Sequence, residues 1–241
     1  MGYPPFESPL ERLLREAQRK KEEEDRRRNL LSSLLSGGAQ QSSSSPWSTI
    51  LGSGLTQPKR NVFISYHHGD DTEVKTFVNK WADTEKVFTA KGLGLRFADD
   101  IIDSDDPEYV MAQIRKRYLQ DSSVTIVLFG SCTHSRRYVD WEVKSSLRQS
   151  KESLPNGLIG IVLPSHGTNA YLAPRFEENW ISGHVSCYAR YYVAPQSASQ
   201  LRGWIEDAFS ARTTRSKLIV NYSDMMKYNG KCKTCGIVHP A

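Results

Sequence analysis

The chain has 241 residues with a net charge of +5; 38% of the residues are hydrophobic and 24% are charged. This length suits one α/β domain with extensions, and charges of both signs spread along the chain do not form the concentrated basic face of a nucleic-acid-binding protein. With no apolar run near the ~20 residues of a membrane span, no signal-peptide pattern and too few cysteines for a disulfide scaffold, we expect a cytoplasmic protein that binds neither membrane nor nucleic acid.

The first 58 residues differ in composition from the rest of the chain. Ser8-Pro9-Leu10-Glu11 is a capping box with proline at the first helical position, which predicts a charged helix within residues 1–38. The serine-rich stretch 39–58 is typical of a flexible linker. Because polar residues 18–29 separate two apolar patches on the helix, it is either an oligomerisation or partner-docking arm or a solvated helix.

From Lys59 onward, apolar runs of strand length alternate with segments of helical period. The predicted strands are 61–66, 93–100, 123–129, 157–164 and 185–193, and the predicted helices are 72–88, 105–120, 137–150 and 197–213. Continuous apolar strands alternating with helices are typical of a parallel sheet covered on both faces. We therefore predict a flavodoxin-like, doubly wound α/β domain over residues 59–213, with strand order 2-1-3-4-5, followed by a tail at 214–241.

A ligand site in such a sheet lies at the carboxyl ends of strands one and three, where the strand order reverses. Strand one ends in Ser65-Tyr66-His67, and the helix after strand three starts at the same edge and carries Glu142. Tyr138 lies four residues before Glu142, so both side chains share one helix face and suit a ring and a sugar. The alternative is a surface acid paired with Arg137 or Lys144.

Several other site classes are excluded by the residues at these strand ends. The chain has no G-x-G-x-x-G after the first strand and no P-loop motif. A response-regulator receiver domain needs acids at the ends of strands one and three, where this chain has Tyr66-His67 and Phe129-Gly130.

Three segments resemble a known family: FISYHHGDD at the first strand, the acidic loop 98–108, and S-x-x-Y-V-D-W-E-V after the third strand. Together they resemble a TIR domain, and more narrowly the bacterial TIR-like group of the Thoeris anti-phage system, which includes ThsB. The resemblance is good over residues 61–164, thin to about residue 213, and absent from residues 1–58 and from the tail.

The resemblance implies an enzyme in which Glu142 is catalytic in cleaving NAD, with NAD as substrate and no cofactor. It also implies a cyclic ADP-ribose isomer as product, a diffusible nucleotide that activates a partner effector protein after a phage-derived trigger. Tyr138 stands where many family members have tryptophan, and Asp100 lies in the loop 98–108, the candidate lid. The substrate-binding residues expected on this basis are Phe63, Ser65, Tyr66, His67, Asp100 and Tyr138.

One carboxylate is enough for this chemistry. Glycosidases use a second carboxyl group to protonate the leaving group, but nicotinamide leaves NAD as a neutral molecule from a cationic pyridinium. What remains is to stabilise a positive ribosyl oxocarbenium, which a fixed carboxylate such as Glu142 does electrostatically. Two alternatives stay open: a plain NAD glycohydrolase that depletes NAD, and a non-catalytic TIR-like scaffold.

The tail contains KCKTCGIVH, which supplies Cys232, Cys235 and His239. A structural zinc site needs four ligands, so Cys187 or a second chain would have to supply the fourth. The alternative is two reduced cysteines in a loose tail. The predicted NAD chemistry itself needs no metal.

Overall fold

A computed structural model describes residues 59–92, 106–150, 153–182, 184 and 186–240. The predicted N-terminal helix, the linker, Asp100 and most of the candidate lid lie outside these residues. Within the described residues, no helix is both long enough and apolar enough to cross a membrane.

The domain is built on a parallel sheet whose strand order is β2-β1-β3-β4-β5, which confirms the predicted flavodoxin-like topology. Every residue of β3 and β4 is buried, as expected for central strands covered on both faces. The strands are β1 (Asn61–Ser65), β2 (Thr89–Lys91), β3 (Val124–Phe129), β4 (Gly157–Val162) and β5 (Arg190–Tyr192).

Helices cover both faces of this sheet. They are α1 (Asp71–Val78), α2 (Pro107–Ile114), α3 (Arg137–Ser146), α4 (Pro174–Asn179) and α5 (Ala198–Thr214). Helices α1 and α5 pack on one face, where Val74 and Leu201 contribute to a core shared with alternate residues of β1, β3 and β4. Helices α2, α3 and α4 pack on the other face, around Trp141 and Phe176.

The second strand lies earlier in the chain than the predicted 93–100, a segment outside the described residues. Helix α1 continues as a π-helical turn over Asn79–Thr84 and the chain then turns at Lys86, which has φ 53°. The following Val87 and Phe88 are buried and lead into β2 instead of ending the helix as predicted. The sequence pattern did not identify β2 because this edge strand has only three residues.

The C-terminal segment is not the loose tail that the sequence suggested. Residues 219–240, which we name the strap, run along α3 from its carboxyl end to its amino end. Lys144 donates to the Ser223 carbonyl, the Trp141 indole to the Met226 carbonyl, and the Arg137 backbone N–H to the Asn229 side chain. The strap covers the side of α3 that faces away from the sheet, so most of the helix, polar residues included, is buried.

Candidate functional site

Glu142 and Ser65 meet at the carboxyl edge of the sheet. Ser65 is the last residue of β1, and Glu142 lies in the second turn of α3, which starts beyond the end of the adjacent strand β3. The Ser65 hydroxyl donates a hydrogen bond of 2.6 Å to Oε2 of Glu142. Both side chains are buried, with Glu142 5% exposed. The structure thus brings together two residues that were predicted to share a site.

The electrostatics of Glu142 are unusual for a carboxyl group. Burial raises its pKa from 4.5 to about 8, and the hydrogen bond from Ser65 opposes this increase. In the unliganded protein near neutral pH the group is therefore mostly a neutral acid. A positive charge placed next to it would favour the ionised form, so the site is suited to a cationic ligand.

The expected surface ion pair of Glu142 is not what the structure shows. The Lys144 ammonium is 2.6 Å from the Ser223 carbonyl oxygen. The Arg137 guanidinium lies over the rings of Tyr138 and Trp141 and donates to the Lys227 carbonyl. Both cations therefore have partners on the strap or on α3 itself, and the influences on the pKa of Glu142 are burial and Ser65.

Tyr66 follows Ser65 and is also buried. Its hydroxyl donates to Oδ1 of Asp71 at 3.1 Å, and its ring lies edge-on to His68. Burial is the main reason that the pKa of the Tyr66 phenol lies above its usual range, and the negative charges of Asp71 and Glu142 add to the increase. Tyr66 is thus electrostatically coupled to Glu142 and stays a neutral hydrogen-bonding group.

His67 lies at the edge of the same site and is half-buried. Its Nε2 is 2.7 Å from Nη2 of Arg136, and because a guanidinium only donates, the imidazole nitrogen must accept. Burial, followed by the charges of Arg136, His239 and His68, lowers the pKa of His67 to about 4. His67 is therefore a neutral imidazole near neutral pH.

Phe63 and Tyr138, predicted to bind substrate, occupy different environments. Phe63 is fully buried in a core cluster with Trp141 and Met111, so its side chain packs between β1 and the helices α2 and α3. Tyr138 is half-buried, packs edge-on against Trp141 at 5.1 Å, and accepts a hydrogen bond from Arg137. Substrate contacts of both residues stay predictions, as does the contact of Asp100.

A buried ion pair between α3 and α4 was not predicted from the sequence. Nε of Arg175 lies 2.8 Å from Oδ1 of Asp140, and both side chains are almost fully buried. The same guanidinium donates to the carbonyl groups of Ser223 and Asp224, while the N–H of Met226 donates to Asp140. The pair therefore joins α3, α4 and the strap. The sequence signal that could have pointed to Asp140 is its position in the same YVDWEV motif as Glu142.

The metal-ligand candidates of the tail have a fourth neighbour that was not predicted. The side chains of Cys232, Cys235 and His239 lie together with that of Cys132, which belongs to the turn after β3. Cys187 is not part of this group, because its sulfur is within hydrogen-bonding distance of the backbone of Ile181 and His184. The proposed contribution of Cys187 was therefore wrong.

A cavity of about 800 Å³ lies at the opposite edge of the sheet, near the residues that precede β3 and β4. It is separate from the Ser65–Glu142 pair and is lined by several serines and by basic side chains, namely Arg115, Lys116, Arg148 and Arg212.

The comparison with known families agrees with this arrangement. Residues 63–168 match the family model described as "Thoeris protein ThsB, TIR-like domain". The matched region contains both Ser65 and Glu142 and extends from β1 to just beyond β4. No curated protein matches the chain. Residues 63–168 of this chain are therefore similar to the TIR-like domain of the Thoeris protein ThsB.

Proposed function

We propose that this protein is an NAD-cleaving enzyme of anti-phage defence, in which Glu142 stabilises the transition state and the product is a cyclic ADP-ribose-type signal. The observation that carries the proposal is the buried Glu142–Ser65 pair, at the edge of the sheet where parallel α/β folds bind ligands. A buried carboxyl group with a strongly raised pKa is typical of functional sites. The Thoeris-type domain supplies the defence context.

The neutral state of Glu142 fits a cationic substrate. The nicotinamide ring of NAD carries a positive charge, which would lower the pKa of a carboxyl group beside it and release its proton. The resulting carboxylate lies in a water-poor environment, where it stabilises a developing oxocarbenium more strongly than it would in water. Because Glu142 is 5% exposed in this conformation, part of its cover has to move before NAD can reach it.

The proposed reaction needs only NAD and the residues of this site. The bond between the ribose C1′ and the nicotinamide nitrogen breaks, and its electron pair leaves with neutral nicotinamide. A nitrogen or hydroxyl group of the same molecule then bonds to C1′, and the proton lost by the nucleophile passes to the Glu142 carboxylate. Ser65 holds this carboxyl group in one orientation. Capture by water instead would give linear ADP-ribose, the glycohydrolase alternative.

The test is a phage-plating assay in cells that contain the partner effector. We compare the wild type with Glu142→Gln and with Glu177→Gln, which changes an exposed glutamate on α4 and serves as the matched control. If Glu142 is catalytic, Glu142→Gln should abolish protection and Glu177→Gln should retain it. Extracts of infected wild-type cells, freed of protein, should activate the effector. Protection that survives Glu142→Gln would instead support the non-catalytic scaffold.

A further inference from the structure

Four potential metal ligands converge where the strap reaches the turn that follows β3. The Cys132 sulfur is 3.1 Å from that of Cys232 and 3.8 Å from that of Cys235, and the Cys235 sulfur is 3.0 Å from Nε2 of His239. All four ligand atoms lie within 4.8 Å of one another. Three of these residues follow the region that matches the TIR-like family model.

We propose that Cys132, Cys232, Cys235 and His239 bind one Zn²⁺ ion, which fastens the strap to the turn that leads into α3. Structural zinc is bound by four such ligands in a tetrahedron, with sulfur at about 2.3 Å and nitrogen at about 2.0 Å. Sulfur atoms on a tetrahedron of that size are about 3.8 Å apart. The Cys132–Cys235 separation of 3.8 Å equals this value, the Cys132–Cys232 separation of 3.1 Å is shorter, and no two ligand atoms are more than 4.8 Å apart. Side-chain rotations would therefore accommodate the ion.

The backbone around Cys232 and Cys235 is shaped to present two sulfurs to one point. The N–H of Cys232 donates to the Ile237 carbonyl, and the N–H of Gly236 donates to the Cys232 carbonyl. Gly236 has φ 77°, a conformation that favours glycine over other residues. The backbone N–H groups of Thr234 and Cys235 also point at the Cys232 sulfur, which is the environment that a metal-bound thiolate needs.

A disulfide between Cys132 and Cys232 is the competing interpretation, since their sulfurs are neighbours. It would account for two of the four side chains and would leave Cys235 and His239 side by side without a role. The convergence of three thiols and one imidazole is accounted for by a metal ion. Four protein ligands leave no open coordination position, so the ion is structural and holds no catalytic water.

The site connects the strap to the surroundings of Glu142. Cys132 lies five residues before the start of α3, and the strap between Ser223 and Asn229 follows that helix. At its end, the Pro240 carbonyl accepts a hydrogen bond from Arg136, which also donates to His67. Zinc at this position would therefore fix both the start of the helix that carries Glu142 and the edge of the site.

The direct test is the metal content of the purified, tag-free full chain, measured by mass spectrometry of the elements. The wild type should hold about one zinc ion per chain, whereas Cys132→Ser and Cys235→Ser should lose it. Cys187→Ser, which removes a buried cysteine outside the cluster, is the matched control and should retain it. A zinc-free wild type, even after zinc is supplied, would overturn the proposal, as would equal loss in the Cys187→Ser protein.

A second measurement covers the case in which the cysteine variants do not fold. Cobalt(II) should replace zinc in the wild-type chain and give the intense thiolate-to-metal absorption of a tetrahedral site with three sulfur ligands. Metal-free protein denatured without reductant should expose all its thiols. No cobalt absorption, or the loss of two thiols to a disulfide, would contradict the zinc site. Neither readout depends on NAD cleavage, so the outcome is independent of the proposed function.

Discussion

Replacing Glu142 by glutamine should change the pH dependence of stability, because the folded and unfolded states of the wild type bind the Glu142 proton with different affinities. Burial raises the pKa of Glu142 to about 8, against 4.5 in its absence. The unfolded chain therefore releases this proton from about pH 4.5 upward, while the folded chain keeps it until the pH passes about 8. Protonated Glu142 therefore stabilises the folded protein fully below about pH 4.5, and this stabilisation is lost as the pH rises from about 4.5 to about 8.

The magnitude follows from the two pKa values. Each pH unit inside the window lowers the free energy of unfolding by about 1.4 kcal/mol. Between about pH 5.5 and about pH 7.5, the wild type should therefore lose roughly 2–3 kcal/mol relative to Glu142→Gln, because glutamine does not titrate. All other titrating groups are common to both proteins and cancel in the comparison.

The assay is urea unfolding of both proteins at the two pH values, followed by tryptophan fluorescence and analysed by linear extrapolation. A constant offset between glutamate and glutamine, from differences in hydrogen bonding with Ser65, cancels because only its change with pH matters. A difference in unfolding free energy that stays within about 0.5 kcal/mol across this range would show that Glu142 does not carry a raised pKa in the folded protein.

Three further predictions concern the site and its support. The kcat/KM for NAD cleavage should rise with pH towards a plateau above about 8, the pKa of Glu142; Ser65→Ala, which removes the hydrogen bond that lowers this pKa, should move the midpoint upward, and an unchanged midpoint would contradict the coupling. Arg175→Met should cost about 3–5 kcal/mol in urea unfolding because it leaves Asp140 buried without its cation; a loss below about 1 kcal/mol would refute this account. Gly160→Ala should lower stability by about 1–3 kcal/mol, since its new Cβ would lie 2.6 Å from one phenylalanine ring and 2.7 Å from another; an unchanged melting temperature would contradict the tight packing.

The parts of the fold that follow from local patterns could be predicted from the sequence. The apolar runs at β1, β3 and β4 identified the central strands, because strands covered on both faces need continuous apolar residues. The strand order then placed Ser65 and Glu142 at one edge of the sheet. Short edge strands are harder to recognise, since β2 and β5 each have only three residues and little apolar signal.

The strap could not be predicted, because the contacts that hold it have no periodicity. Its backbone carbonyl groups accept from Trp141, Lys144 and Arg175, whose sequence positions say nothing about the partner. Cys132 and Cys232 are separated by 100 residues, and only the fold brings them together. For the same reason the degree of burial of Glu142 was not visible, since an amphipathic helix read alone has one face in solvent.

The most direct measurement of catalysis by Glu142 is mass spectrometry of nucleotides in cells that express the wild type or Glu142→Gln, before and after phage infection. Infected wild-type cells should lose NAD and gain a cyclic ADP-ribose isomer, whereas Glu142→Gln cells should show neither change. Linear ADP-ribose as the only product would replace the cyclase with a glycohydrolase. Unchanged nucleotides in infected wild-type cells that are nevertheless protected from phage would contradict a catalytic role for Glu142.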